Sequence, residues 1–236
     1  MISATIAYIL LLLLLAAGML FSVKRRKLTR WAAFTGAITA LLLYIGTGFA
    51  GVLLMTAFFI IGTAATSHKK YLKLKINGDD DNAPRDTWQV LANSGIAAIL
   101  SVAAMLFPAH MDEMLLMIAG AFATAAADTA SSELGVIYGR NFYNIISWKK
   151  DQRGLDGVIS LEGTVLGLAG GLLIAMVYSL FAGFGWPVAA IALAGAAGNF
   201  ADSLLGAILE RKQVIDNNMV NFLATLAGAI VVALIA

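Results

Sequence analysis

Uncharged apolar stretches of about twenty residues recur along the chain, and each is long enough for a helix to cross a membrane. Charged residues make up only 13% of the 236 residues, whereas soluble domains carry about 25%. The strands of a membrane barrel would alternate polar and apolar residues, and these stretches do not. We therefore predict an all-α polytopic transmembrane helical bundle that forms a single transmembrane domain over residues 1–236.

The apolar stretches predict about eight spans. Thr29 to Ala65 carries no charge beyond Arg30 and is too long for one span, so Gly46-Thr47-Gly48 is interpreted as a turn between two spans. The predicted spans are residues 4–21, 30–46, 50–66, 86–107, 111–135, 163–181, 188–209 and 217–236. The loops predicted on the same side as one another are residues 22–29, 67–85, 136–162 and 210–216.

Positive charges divide the loops into two groups. All 16 Lys and Arg residues lie in or beside the loops after the first, third, fifth and seventh spans, whereas the other loops carry only Asp112 and Glu113. Because basic loops of membrane proteins stay in the cytoplasm, the four basic loops are predicted to be cytoplasmic. The N-terminus and the C-terminus would then face outward. We expect the protein to lie in the plasma membrane of a prokaryotic cell.

The stretch from Ala127 to Gly135 places two carboxylates and three hydroxyl groups at the end of the fifth span. On a helix, Asp128 shares one face with Ser131 and Ser132. An acid inside a membrane helix costs about 2.5–3.5 kcal/mol on insertion scales. Asp128 is therefore expected to have a partner or a chemical role.

The seventh span carries a similar stretch around Asp202. Asp128 lies seven residues before Gly135 and Asp202 lies eight before Glu210, so both carboxylates are expected about 10–12 Å inside their helix ends. The two spans run in the same direction, so the two acids can face one another. Both acids follow an alanine and precede a hydroxyl residue, which is compatible with an internal repeat.

Polar residues also gather where other spans begin on the basic side. They are Arg85, Asp86, Gln89 and Asn93 at the fourth span, Ser160, Glu162 and Thr164 at the sixth, and Asn217, Asn218 and Asn221 at the eighth. Such residues can bind a ligand, or can simply join helices through hydrogen bonds worth about 0.6 kcal/mol each. Lys149, Lys150 and Arg153 can likewise be phosphate ligands or positive-inside anchors. The loop from Gly154 to Gly163 can offer backbone N–H groups to an anion.

These groups together favour a phosphorylated ligand. Carboxylates bind Mg²⁺, Mg²⁺ binds phosphate, and Arg and Lys neutralise phosphate. A cytoplasm-facing site of this kind within lipid-facing helices suits a phosphorylated lipid. The chain has no cysteine, which excludes a thiolate metal site, and it has neither a Walker motif nor a kinase glycine-rich loop. A nucleotide would therefore be bound in another way.

Six ordered motifs carry a resemblance to a known family. They are Phe58-Phe59 with Thr66, Arg85 to Asn93, Ala127 to Gly135, Gly157 to Thr164, Gly198 to Gly206, and Asn217-Asn218 with Asn221. In these motifs the chain resembles the integral membrane family of formerly unknown function that includes the plant phytyl-phosphate kinase. Leu155 departs from the family pattern, in which a small polar residue usually stands at this position.

The resemblance implies a kinase that converts an isoprenoid monophosphate, prenyl or phytyl, into the diphosphate with Mg²⁺ and a nucleoside triphosphate such as CTP. We predict Asp128, Glu133, Asp202 and Asn199 as catalytic residues, with Asp128, Glu133 and Asp202 as the metal ligands. The residues predicted to bind substrate and phosphate are Arg85, Asp86, Gln89, Asn93, Thr129, Ser132, Lys149, Arg153, Gly157, Ser160, Glu162, Gly163, Thr164, Ser203, Asn218 and Asn221.

Two other functions stay open at this point. One is a transporter or flippase of an anionic lipid or solute, which would also use buried carboxylates and a repeat. The other is a CTP-dependent enzyme that makes a nucleotidyl lipid. The expected partners are the isoprenoid phosphate, the nucleotide and membrane lipids, with no nucleic acid, and the oligomeric state is left open.

Overall fold

The computed structural model of the protein describes residues 4–77 and 83–236, and these are mostly helical. The helices are α1 (Ala4–Lys24), α2 (Arg30–Ser67), α3 (Lys70–Asn77), α4 (Thr87–Leu106), α5 (Met111–Tyr138), α6 (Leu161–Ala182), α7 (Trp186–Leu205) and α8 (Asn217–Ile235). Two short strands, β1 (Tyr143–Asn144) and β2 (Val158–Ile159), pair antiparallel. The prediction of an all-α polytopic membrane bundle is confirmed.

Helix α2 is a hairpin. Gly48, with φ 68°, reverses the chain in a conformation that glycine adopts without strain. Met55 Cε lies only 3.8 Å from where a Cβ on Gly36 would be, and Lys27 just before α2 donates to Ser67 Oγ at its end, at 2.6 Å. The two ends of α2 therefore lie together, and the turn falls where Gly46 to Gly48 predicted it. Counting this hairpin once, the described residues contain six helices long and apolar enough to cross a membrane.

Three features of the fold depart from the predicted loops and spans. The loop predicted at residues 67–85 contains helix α3, which is stabilised by a buried lysine, Lys73. Helix α5 continues past Gly135 to Tyr138, and the N–H of Gly139 closes it by donating to the carbonyl oxygen of Gly135 at 2.8 Å. The loop predicted at residues 136–162 contains the β1–β2 ribbon.

Helix α5 forms the centre of the bundle and packs against α2, α4, α6, α7 and α8. Its middle is rich in alanine and almost completely buried. Helix α6 approaches it through glycines: a Cβ on Gly167 would lie 2.9 Å from the carbonyl oxygen of Ala127, and one on Gly170 would lie 2.7 Å from that of Ala126. This close approach, typical of small residues in membrane helices, positions the polar end of α5 beside α6.

Replacing Gly167 with Val should lower the stability of the bundle by about 1–3 kcal/mol, since the added methyl groups would collide with the backbone of α5. Thermal unfolding in detergent measures the change. The matched control is Ala169→Val on the exposed face of α6. Equal unfolding temperatures for the two variants would show that the α5–α6 contact tolerates a side chain at Gly167.

The predicted orientation can be tested directly because the native chain has no cysteine. We expect Ala109→Cys, between α4 and α5, to react with a membrane-impermeant maleimide on intact cells. Ser147→Cys, in the β1–β2 segment, should react only after permeabilisation. Both positions are exposed in the structure. The opposite labelling pattern would mean that the basic loops face outward.

Candidate functional site

A polar cavity of about 300 Å³ lies at the end of the bundle where the basic loops are. Its wall combines the last turns of α5, the loop before α6, the end of α7 and the first residue of α8. Nine of the predicted site residues line it: Asp128, Ser132, Glu133, Gly157, Ser160, Gly163, Asn199, Asp202 and Ser203. With Lys73 on α3, five segments distant in sequence therefore converge on this cavity.

Asp128 and Asp202 form the centre of this cavity. Their carboxyl groups, on α5 and α7, lie within hydrogen-bonding reach of each other, as their matched depth predicted. Asp202 Oδ2 is buried and has no hydrogen-bond partner in the described structure. Two carboxylates in contact need either a shared proton or a cation between them, because two like charges destabilise each other at this distance.

Lys73 pairs with Glu133 at a second point of the cavity wall. The Lys73 ammonium donates to the carbonyl oxygens of Ala65 and Thr66 at 3.0 and 2.7 Å, and also forms an ion pair with the Glu133 carboxylate. The Lys73 side chain is only 3% exposed. Among the described residues of the cavity wall, Lys73 is the one basic side chain. Glu133, which the sequence predicted as a third metal ligand, thus has Lys73 as its ion-pair partner in the structure.

Arg85 lies behind the cavity wall. Its guanidinium donates to Thr66 Oγ1 at 3.1 Å. Burial lowers the pKa of Arg85, and the nearby carboxylates of Glu133 and Asp128 oppose this shift. Arg85 therefore does not line the cavity, and its positive charge acts on Glu133 and Asp128 from behind the wall.

The loop between β1 and α6 closes the cavity from the outside. Gly154 and Gly157 have φ of 85° and 69°, so this turn requires two residues without side chains. Gly157 also packs tightly against Ala207, since a Cβ there would lie 2.7 Å from Ala207 Cα. Ser160 caps α6 by accepting from the N–H of Gly163 at 3.1 Å. Leu155 lines the cavity despite its departure from the family pattern.

Several predicted phosphate ligands instead close the ends of helices. Asp86 and Gln89 form a capping box at the start of α4. Asn93 donates to the carbonyl oxygen of Gln89, at 3.0 Å. Asp, Asn and Gln often hydrogen-bond to the nearby backbone at helix ends. The sequence pattern alone does not distinguish this role from ligand binding.

Other predicted ligands also lie outside the cavity. Local hydrogen bonds occupy the hydroxyls of Thr129 and Thr164, which donate to the carbonyls of Ala125 and Ser160, and the amide of Asn221, which donates to Asn217. Glu162 accepts from the backbone N–H of Arg140 at 3.3 Å. Lys149 is exposed, the Arg153 guanidinium lies over the Phe142 ring, and Asn218 faces a separate groove.

The cavity is strongly acidic, and several of its charges were missed from sequence. Besides Lys73, the charged wall residues absent from the predicted site are Asp156 and Glu210, whereas Ser131 and Asn217 belong to the polar clusters that the sequence already showed. Asp156 and Glu210 are close enough to Asp202 to interact with it electrostatically. Asp156 stands in the predicted anion loop and Glu210 ends the seventh span, so both positions were visible in the sequence. The excess of carboxylates means that a phosphorylated ligand needs accompanying cations to bind.

The carboxylate oxygens of the cavity fit a magnesium ion that is also held by the phosphates of a bound substrate. No three His, Cys, Asp or Glu side chains within residues 4–77 and 83–236 converge into a complete metal site. Mg²⁺ is commonly bound by one or two carboxylates together with substrate phosphates and water. Asp128 and the unpartnered oxygen of Asp202 supply such a pair.

Comparisons with known proteins agree with a membrane family. Residues 12–229 match the family described as integral membrane protein DUF92. An uncharacterized membrane protein of Methanocaldococcus jannaschii is 32% identical, over 90% of this chain and 87% of that protein. Protein VTE6, chloroplastic, of Arabidopsis thaliana is 33% identical, over 79% of this chain and 59% of the plant protein. An uncharacterized membrane protein of Synechocystis is 28% identical, over 87% of this chain and 81% of that protein. No solved structure matches the chain.

Proposed function

Since the chain belongs to the integral membrane protein family DUF92, we propose that it is a kinase that converts an isoprenoid monophosphate into the diphosphate. The motifs of the chain resemble the family that includes the plant phytyl-phosphate kinase, and the plant relative VTE6 aligns with 79% of this chain, which supports the proposal. The phosphoryl donor is a nucleoside triphosphate such as CTP, and the site faces the cytoplasm of a prokaryotic cell. The archaeal and cyanobacterial relatives support a prokaryotic membrane.

One observation supports this proposal most strongly: a cavity that joins a pair of carboxylates, Asp128 and Asp202, to a buried lysine, Lys73, at the edge of a transmembrane bundle. Carboxylates suit a divalent cation, and the lysine suits a phosphate. The position at the end of the apolar helices suits a substrate with a phosphate in water and a hydrocarbon chain in lipid.

The chemistry requires little beyond positioning and charge neutralisation. An oxygen of the prenyl phosphate attacks the terminal phosphorus of the nucleotide, and the bond from that phosphorus to the bridging oxygen breaks. The nucleoside diphosphate leaves with the electron pair of that bond. The attacking oxygen is already anionic, so the cavity needs no general base.

We assign each part of the cavity wall one role in this reaction. Asp128 and Asp202 hold Mg²⁺, which when bound neutralises phosphate charge. Lys73 contributes positive charge to the cavity wall near the phosphates, while its three N–H groups stay bonded to Ala65, Thr66 and Glu133. The turn at Gly157 and the first turn of α6 provide backbone N–H groups near the phosphates, as helix N-termini commonly do.

The test uses the purified full-length protein in detergent or proteoliposomes with geranylgeranyl or phytyl phosphate, Mg²⁺ and each nucleoside triphosphate in turn. We expect the prenyl diphosphate, identified by mass, with at least one donor. A nucleotidyl lipid as product would identify a nucleotidyltransferase. Movement of the lipid phosphate across the bilayer without nucleotide, and no diphosphate, would identify a flippase.

A further inference from the structure

We infer that an apolar groove between α4 and α8 binds the hydrocarbon chain of the lipid phosphate, an inference that rests on the kinase proposed above. The groove has a volume of about 680 Å³, and ligand pockets typically measure about 300–1,000 Å³. Its apolar wall includes Leu91, Ile99, Met219 and Phe222. It is separate from the polar cavity and contains none of the groups that act on phosphate there.

The groove forms because α4 presents small residues, among them Gly95 and Ala98, between bulkier side chains at the edges. A Cβ on Gly95 would lie 3.1 Å from Phe222 Cε2, so the two helices touch at the floor of the groove. Ala98 also faces the groove, and it leaves space that a larger residue would fill. Trp88 and Ile99 stand along the rim and are 68% and 59% exposed.

The groove and the polar cavity both reach the first turn of α8, from different sides. Asn217 lines the cavity, whereas its two neighbours in the chain, Asp216 and Asn218, line the groove. Consecutive Cα atoms are about 3.8 Å apart, so the polar end of the groove begins only a few ångströms from the cavity wall. A lipid with its phosphate in the cavity can therefore pass its chain over this turn into the groove.

The shape and charge of the groove favour one linear hydrocarbon chain. Trp88 and Ile99 are eleven residues apart on α4, which gives an apolar path of about 16 Å from the basic end toward the middle of the bundle. Asp216 places a negative charge at the polar end, which disfavours an anionic headgroup there. The cavity also carries carboxylates, but there Asp128 and the unpartnered oxygen of Asp202 can hold a cation that neutralises the phosphate.

Ala98→Phe tests this inference by filling the inner half of the groove. For geranylgeranyl phosphate, kcat/KM should fall by at least about tenfold, a typical loss when a hydrophobic pocket no longer admits its ligand. For dimethylallyl phosphate, whose chain is short, kcat/KM should stay within about twofold of the native value. Ala169→Phe, on the exposed face of α6, is the matched control. Equal losses for both substrates, or no loss for either, would overturn the inference.

A binding experiment separates this inference from the kinase itself. The native protein is irradiated with a geranylgeranyl phosphate analogue that carries a diazirine at the end of its chain, without nucleotide, and labelled residues are mapped by mass spectrometry. Labelling near Ala98 or Ile99 that unlabelled geranylgeranyl phosphate removes would support the groove even if no diphosphate is ever formed. Labelling confined to other helices would overturn the groove and leave the kinase standing. Equal competition by a diacyl phospholipid would identify the groove as a general lipid contact and overturn the inference.

Discussion

Replacing Asp128 with Asn should lower kcat for prenyl diphosphate formation by at least about 10³-fold, the size of effect seen when a main electrostatic contact to a transferring group is lost. Asn keeps the shape of the side chain and removes the charge that would bind Mg²⁺. The helical fold should persist, because the change also relieves the contact between two carboxylates, Asp128 and Asp202. Circular dichroism and thermal unfolding check the fold, and product mass measures the rate.

The matched control for this substitution is Asp112→Asn, which changes an exposed acid at the opposite end of α5 and should leave kcat within about twofold of native. Asp202→Asn should match Asp128→Asn, and the double variant should be little worse than either single one, since residues that act as a unit are not additive. If Asp128→Asn retains more than about a tenth of native activity, Asp128 is structural and the centre of the site lies elsewhere.

Replacing Lys73 with Met should give the second largest effect, on stability as well as on activity. The change leaves the Glu133 carboxylate, which is 20% exposed, without its ion-pair partner. Breaking a buried pair in this way typically costs about 3–5 kcal/mol, and we expect the lower end because Glu133 keeps some contact with water. Thermal unfolding in detergent measures this loss, and Lys75→Met on the exposed side of α3 is the control.

The double variant Lys73→Met with Glu133→Gln separates the two roles of the lysine. Removing both charges should recover part of the lost stability, because Glu133 no longer carries an unpaired charge, whereas the buried Arg85 loses one of its two nearby carboxylates. Activity should stay low, because no basic group would then face the phosphates from the described cavity wall. Recovery of near-native kcat in the double variant would show that Lys73 only holds α3 against α5.

The membrane helices could be predicted from sequence because the length of each apolar stretch and the charge of each loop can be read within one segment, without knowing its tertiary contacts. The turn within α2 was predictable for the same reason, since Gly46 and Gly48 interrupt an apolar stretch that is too long for one span. Helix α3 was not predicted. Its lysines alternate with apolar residues, and the stabilising partner of Lys73 lies sixty residues away on α5, which no local pattern reveals.

The centre of the site was predictable and its edges were not. Asp128 and Asp202 stand out because an acid within an apolar span is costly wherever it lies, and their depths could be compared by counting residues. Asp86, Thr129 and Asn221 were predicted as ligands, and in the structure each makes a hydrogen bond within its own helix or helix cap. Which role a polar residue takes at a helix end depends on what the neighbouring helices bring to it, and that becomes visible only in the assembled bundle.

The most direct measurement follows a labelled phosphoryl group. The purified protein is given a nucleoside triphosphate labelled at its terminal phosphorus, geranylgeranyl or phytyl phosphate, and Mg²⁺, and all phosphorus-containing products are separated. We predict that the label appears in the outer phosphate of the prenyl diphosphate, with one nucleoside diphosphate released for each molecule formed, and that Asp128→Asn abolishes the transfer. Label found only in inorganic phosphate, or a product that contains the nucleoside, would contradict a prenyl-phosphate kinase.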